Sequence, residues 1–124
     1  MFGHKKLLFI HIPKTAGTSI VFSLFKKSKV EHNLLSKYSE DFLRDVFVFC
    51  VIRNPFDRFI SQWLYHTNYK DNFFYKKYNK KFDVFSYLDI VKNNSHRVTW
   101  KSMSRFIFHK TKKVDFFLRF ENLS

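Results

Sequence analysis

Two short apolar runs, each stopped near a proline and each followed by helical spacing, constrain this chain more than any other feature of its sequence. The first is Leu7-Leu8-Phe9-Ile10-His11-Ile12, ended by Pro13. A run without polar alternation suits a strand buried on both faces, as in a parallel sheet. The chain then turns through Lys14-Thr15-Ala16-Gly17. From Thr18 onward Ile20, Val21, Leu24 and Phe25 recur at helical spacing up to the cluster Lys26-Lys27-Ser28-Lys29, whose cations suit a helix C-terminus. The second run, Val46 to Ile52, is broken at Asn54-Pro55, and Phe56 to His66 follows with Phe59, Ile60, Trp63 and Leu64 on one helical face. Only two Gly and two Pro occur in the whole sequence, so the presence of Pro13, Gly17 and Pro55 at these joints marks where the backbone must turn sharply. Two strand-loop-helix units predict an α/β fold with parallel strands, right-handed crossovers and flanking helices. Ligands of such sheets bind beyond the carboxyl ends of the strands, which is where the loops 13–17 and 53–55 would lie.

The rest of the chain is less regular. Asn68 to Lys81 is polar and aromatic, with Lys76-Lys77 and Lys80-Lys81 around Tyr78-Asn79, and reads as a loop or a frayed helix end. Asp83 suits the cap of a short helix in which Val84, Tyr87, Leu88 and Val91 share a face, and Val98, Met103, Phe106 and Ile107 suggest another. Val114 to Phe120 reads as a third strand, after which Glu121-Asn122-Leu123-Ser124 ends the chain with no helix expected. A length of 124 residues fits one domain, residues 1–124.

Composition narrows the function classes. The 45% hydrophobic content, with eighteen Phe, supports a packed core and argues against disorder. The formal charge of +13 asks for an anionic partner without naming it; nucleic acid, acidic lipid, a phosphorylated cofactor and an acidic polysaccharide all qualify. The single cysteine, Cys50, excludes an intramolecular disulfide, and its place inside the second apolar run marks it as a small core residue. The histidines His4, His66, His96 and His109 show no metal-ligand spacing, so no metal site is expected. No apolar run approaches the roughly 18 residues of a membrane span, and no small-residue cleavage site follows the basic and apolar start Met1 to Ile10, so no secretory signal is expected and the expected location is cytoplasmic.

Chemistry concentrates in the two loops. Pro13-Lys14-Thr15-Ala16-Gly17-Thr18-Ser19 brings a cation, three hydroxyls and a Gly to the start of a helix, where free amides and the positive end of the helix dipole favour an anion. Gly17 would let the backbone approach that ligand closely. The order is not that of a nucleoside-triphosphate loop, since Lys14 precedes the only Gly of the segment and the first Gly is missing. In the second loop, Arg53 follows a buried strand and needs an anionic partner, and Ser61 on the next helix could return to the same ligand. Arg58 is open to two accounts, an ion pair with Asp57 or a ligand contact.

Together, Phe9 to Ser19 and Phe49 to Ser61 resemble the 5'-phosphosulfate loop and the 3'-phosphate segment of the carbohydrate sulfotransferases that use 3'-phosphoadenosine 5'-phosphosulfate (PAPS). Val114 to Leu123 also looks like a stretch that this family carries further downstream. The resemblance implies a three-layer, P-loop-like parallel sheet flanked by helices, here incomplete at its C-terminal end. It implies transfer of a sulfuryl group from PAPS to a carbohydrate hydroxyl, with an acidic glycan among the candidate acceptors, 3'-phosphoadenosine 5'-phosphate (PAP) as the other product and neither a metal nor a specific nucleic acid involved. By the same resemblance Lys14, Thr15, Ala16, Gly17, Thr18 and Ser19 hold the 5'-phosphosulfate, Lys14 also serving the departing phosphate, and Arg53 and Ser61 bind the 3'-phosphate. His32 is the expected base for the acceptor hydroxyl, with a surface imidazole in Glu31-His32-Asn33 as the competing account. A basic nucleic-acid-binding module and a divergent nucleotide kinase are the alternative functions; the first lacks a recognisable motif, and the second lacks an Asp after the second strand, where Arg53 stands.

Overall fold

A computed structural model describes residues 6–26, 31–69, 73–78 and 82–123. The chain forms two compact units, one of Met1–Arg53 with Lys101–Ser124 and one of Asn54–Trp100. The first holds a parallel sheet of three strands in the order β1 (Lys6–Ile10), β2 (Val46–Ile52), β3 (Phe116–Arg119). β2 matches the expected run residue for residue, and as the central strand it is buried or half-buried along its whole length. That position rewards an unbroken apolar sequence. β1 stops at Ile10, two residues short of the apolar run, and β3 is shorter than its run at both ends. Both are edge strands, with Leu7, Phe116 and Phe117 exposed.

Helices α1 (Gly17–Phe25), α2 (Glu40–Leu43) and α6 (Met103–Ile107) belong to the same unit. Its core joins Ile10, Ile12, Leu35, Leu43, Val46, Val48, Cys50 and Phe106, all buried. Cys50 is fully enclosed, and burial pushes its thiol up to about 12, as befits an inert core residue. On α1 only Gly17 and Val21 are buried, whereas Leu24 is exposed, so its apolar face is narrower than the spacing suggests. After β3 the chain enters a single 3₁₀ turn at Phe120–Asn122, where no helix was expected.

The second unit contains α3 (Pro55–Asn68), α4 (Phe73–Tyr78) and α5 (Val84–Asn93). Asn54 caps α3 by accepting from the amides of Phe56 and Asp57, and Asp83 caps α5 in the same way through Phe85 and Ser86. The buried face of α3 differs from the one expected. Arg58, Gln62, His66 and Thr67 are buried, while Ile60 and Leu64 are exposed and Phe59 and Trp63 only half-buried. Polar groups can take this place because they find partners inside the unit. The Gln62 amide donates to the Thr99 carbonyl at 2.6 Å, and His66 Nδ1 meets the Tyr87 hydroxyl at 2.7 Å. Trp100 donates to the same hydroxyl at 2.8 Å. Since an indole N–H can only donate, the Tyr87 oxygen is the acceptor of that bond, and the hydroxyl hydrogen stays available to His66. Phe59, Phe74 and Trp100 surround this network with ring contacts. Part of Asn68 to Lys81 is thus helical, as α4; residues 27–30, with Lys27 to Lys29, and Lys80-Lys81 lie outside the described residues.

One side chain completes the sheet where β3 has not yet begun. Asp115 donates its amide to the Val48 carbonyl, and its carboxylate accepts from the Val48 amide, both at 2.8 Å. Lys112 pairs with the same carboxylate at 3.1 Å. D115A therefore leaves a buried amide of β2 without its partner and is expected to lower unfolding stability by about 1–3 kcal/mol, whereas D115N retains an acceptor and loses less. Urea denaturation of the two variants checks this.

Candidate active site

The turn between β1 and α1 is built from residues that do not favour its backbone. Lys14 and Ala16 both adopt the left-handed conformation, at φ 65° and 68°. For residues with a Cβ this costs on the order of 1–2 kcal/mol each, so the surroundings must impose it. Two hydrogen bonds do so. The Thr15 hydroxyl donates to the Ile12 carbonyl at 2.7 Å, and Arg53 Nη1 donates to the Lys14 carbonyl at 3.1 Å. Thr15 is fully buried, so its hydroxyl locks the turn and is less available to a ligand than its place in the motif implies.

Ala16 is the N-cap of α1 and provides no side-chain cap. The first-turn amides of Gly17, Thr18 and Ser19 have no acceptor within the helix, and no acidic residue occupies the first turn. The Thr18 and Ser19 side chains are exposed beside them. An uncapped helix start of this kind offers donors and a positive dipole end to an anion. Lys14 adds a half-buried ammonium, whose pKa is lowered first by burial and then by the nearby Arg53.

Gly17 serves a purpose that its position in the motif does not reveal. Its φ is not positive. A Cβ at this residue would run into the imidazole of His11, so the space left by the missing side chain holds that ring. His11 is buried and stacked on Phe9 at 5.6 Å, and its Nδ1 has no hydrogen-bond partner among the described residues. Burial and the neighbouring His32 push its pKa down to about 4, so it stands neutral at physiological pH. The His32 ring lies 4.3 Å from that of His11. His32 Nδ1 is 3.1 Å from the His11 carbonyl. A carbonyl only accepts, so Nδ1 carries the hydrogen and Nε2 of the neutral ring keeps its lone pair.

Arg53 lies with its guanidinium carbon 4.0 Å from the centre of the Phe120 ring. Lys14, Arg53 and Phe120 thus link the three loops that follow β1, β2 and β3. The sequence reading placed Phe120 only at the end of the third strand and in a family-like stretch; the alignment of the strand ends could have indicated its place beside Arg53. Ser61 is half-buried on α3, in the second unit, and Arg58 is buried on the same helix, where burial lowers its pKa to about 10. Among the described residues no three His, Cys, Asp or Glu side chains are grouped so as to hold a metal ion. No helix among them is long and apolar enough to cross a membrane.

The model of the Sulfotransferase family matches residues 1–124, the full length of the chain. The chain belongs to the sulfotransferase family. No curated protein and no solved structure gave a significant match. The α/β architecture with a parallel sheet and flanking helices agrees with the expectation from sequence. This sulfotransferase is therefore an enzyme of sulfuryl transfer, and the Lys14 loop, His32 and Arg53 lie within the matched region.

Two outcomes test this packing. G17A forces the His11 ring and the start of α1 apart and is expected to destabilise the sulfotransferase by about 1–3 kcal/mol, measured by chemical denaturation. His11, with a folded pKa of about 4 against an ordinary 6.5, binds its proton less readily in the folded chain than in the unfolded one. Its contribution to stability is fully present above pH 6.5 and falls as the pH drops toward 4, with a slope approaching about 1.4 kcal/mol per pH unit. H11F should flatten the dependence of stability on pH in that window.

Proposed function

We propose that this sulfotransferase moves a sulfuryl group from PAPS to a hydroxyl of a carbohydrate acceptor. The observation that carries the reading is the uncapped, left-handed entry to α1, flanked by Lys14 and by an Arg53 already hydrogen-bonded to the Lys14 carbonyl. The donor set suits a phosphosulfate: three first-turn amides, two exposed hydroxyls and a cation on one turn, with no carboxylate among the loop residues Pro13 to Ser19. PAPS supplies the activated sulfuryl group.

In this reading the Thr15, Ala16, Gly17, Thr18 and Ser19 segment holds the 5'-phosphosulfate, and Lys14 offsets negative charge growing on the bridging oxygen as the phosphate departs. Arg53 binds the 3'-phosphate, a role that the family resemblance also implies for Ser61. His32 takes the proton of the acceptor hydroxyl at Nε2, and its bond to the His11 carbonyl keeps the proton on Nδ1, so the correct nitrogen is free to act as base. The positive charge of +13 favours approach of the anionic donor and of an acidic glycan.

Incubation with sulfur-labelled PAPS and a panel of glycans, together with PAP titration calorimetry, tests the reading. K14A should lower kcat by about 100-fold while PAP affinity changes far less, as expected for a group that acts on transition-state charge. R53A should mainly weaken PAP binding, and H32A should remove turnover with PAP binding retained. Absence of PAPS and PAP binding, alongside salt-sensitive binding of DNA or RNA, would overturn the proposal.

A further inference from the structure

Arg53 and Phe120 are separated by 66 intervening residues, yet sheet register brings them together. Ile52 and Arg119 are partners at the last rung of the parallel β2–β3 ladder. One residue further along each strand places Arg53 beside Phe120, where the guanidinium carbon lies 4.0 Å from the ring centre. Phe120 opens the 3₁₀ turn that ends β3, and its carbonyl accepts from the Leu123 amide at 3.1 Å, which fixes the backbone carrying the ring. Arg53 has no carboxylate partner among the described residues. Its Nη1 donates to the Lys14 carbonyl, and its buried Nε has no hydrogen-bond partner. The ring face and the carbonyl are therefore the two contacts that set the plane of the guanidinium. A planar cation on an aromatic face loses few orientations when it forms a further hydrogen bond, which a flexible ammonium cannot match.

We propose that Phe120 is a positioning residue of the sulfuryl-transfer site. Its ring orients Arg53, and Arg53 through the Lys14 carbonyl holds the left-handed peptide that leads into α1. The carbonyl of Lys14 and the amide of Thr15 belong to one planar peptide unit, so turning one turns the other. Loss of the ring face then reaches the anion loop without Phe120 touching an anion. The proposal rests on the proposed function only for the identity of the ligand, since the orientation of the loop can be read without one.

The test compares F120L, which keeps an apolar side chain of similar reach but has no aromatic face, with F120Y, which keeps the face. In amide NMR spectra of the whole chain, F120L should shift the Thr15, Ala16 and Gly17 resonances and the Arg53 Nε–H signal, while F120Y leaves them near the wild-type positions. PAP affinity should fall about tenfold in F120L and stay within about twofold in F120Y, the range that a cation–aromatic contact commands. R53K provides a second route if F120L does not fold. It should shift the same loop amides while Phe120 remains in place, and adding F120L to it should cause no further shift of those amides. Unmoved loop amides in a folded F120L or R53K, or equal losses in F120L and F120Y, overturn the positioning role. If wild type binds PAP and F120L binds it equally well, this proposal fails alone. If no form binds PAP but the loop amides move as described, the positioning role stands and the donor assignment falls.

Discussion

The hydrogen bond from Arg53 to the Lys14 carbonyl connects the end of β2 to a loop that its own residues would not maintain. Lys14 and Ala16 stand in the left-handed region without being glycines, and within the loop the Thr15 hydroxyl helps to hold them there. The remaining restraint comes from the neighbouring strand. Parallel pairing sets the register of β1 against β2, so both strands deliver their following loops to the same edge. Once that edge is formed, an uncapped helix start, a half-buried ammonium and a guanidinium are neighbours, and their shared requirement is an anion.

Histidine is used twice at this edge, with different consequences. His11 is enclosed, kept neutral by burial and by the other imidazole, and occupies the space that Gly17 leaves open. His32 is anchored from outside through Nδ1 to the backbone of the same residue, His11. A neutral first ring beneath the second avoids the like-charge repulsion that two protonated imidazoles 4.3 Å apart would suffer. The glycine of the loop is thus needed for the packing of a side chain six residues earlier, in addition to any closeness to a ligand.

Much of this was legible in the chain itself. His32 was a candidate only through the family resemblance, whereas the two loops, the central strand Val46 to Ile52, the cap at Asp83 and the helix it starts, and the candidacy of Lys14 and Arg53 could all be read from residue type and spacing. Each depends on local chemistry: an unbroken apolar run, a proline stop, or a short polar side chain before a helix. The helix α3 itself was legible, but its buried face was misread, because periodicity identifies an apolar stripe and cannot tell that Gln62 and His66 find a carbonyl and a hydroxyl inside their unit. With those partners the cost of burying them is met, and Ile60 and Leu64 are left in solvent.

By itself, then, the sequence determined the α/β class, the family and the residues able to meet an anion, because these follow from patterns within a few neighbouring positions. Only the tertiary structure decided which of those residues restrain one another. The Arg53 bond that restrains the left-handed backbone at Lys14 and the Phe120 face under Arg53 arise from contacts between segments distant along the chain, and the His11 ring in place of a Gly17 side chain arises from the path of the backbone around the loop. Such contacts depend on strand register and packing distance, and neither is encoded in the type of any single residue.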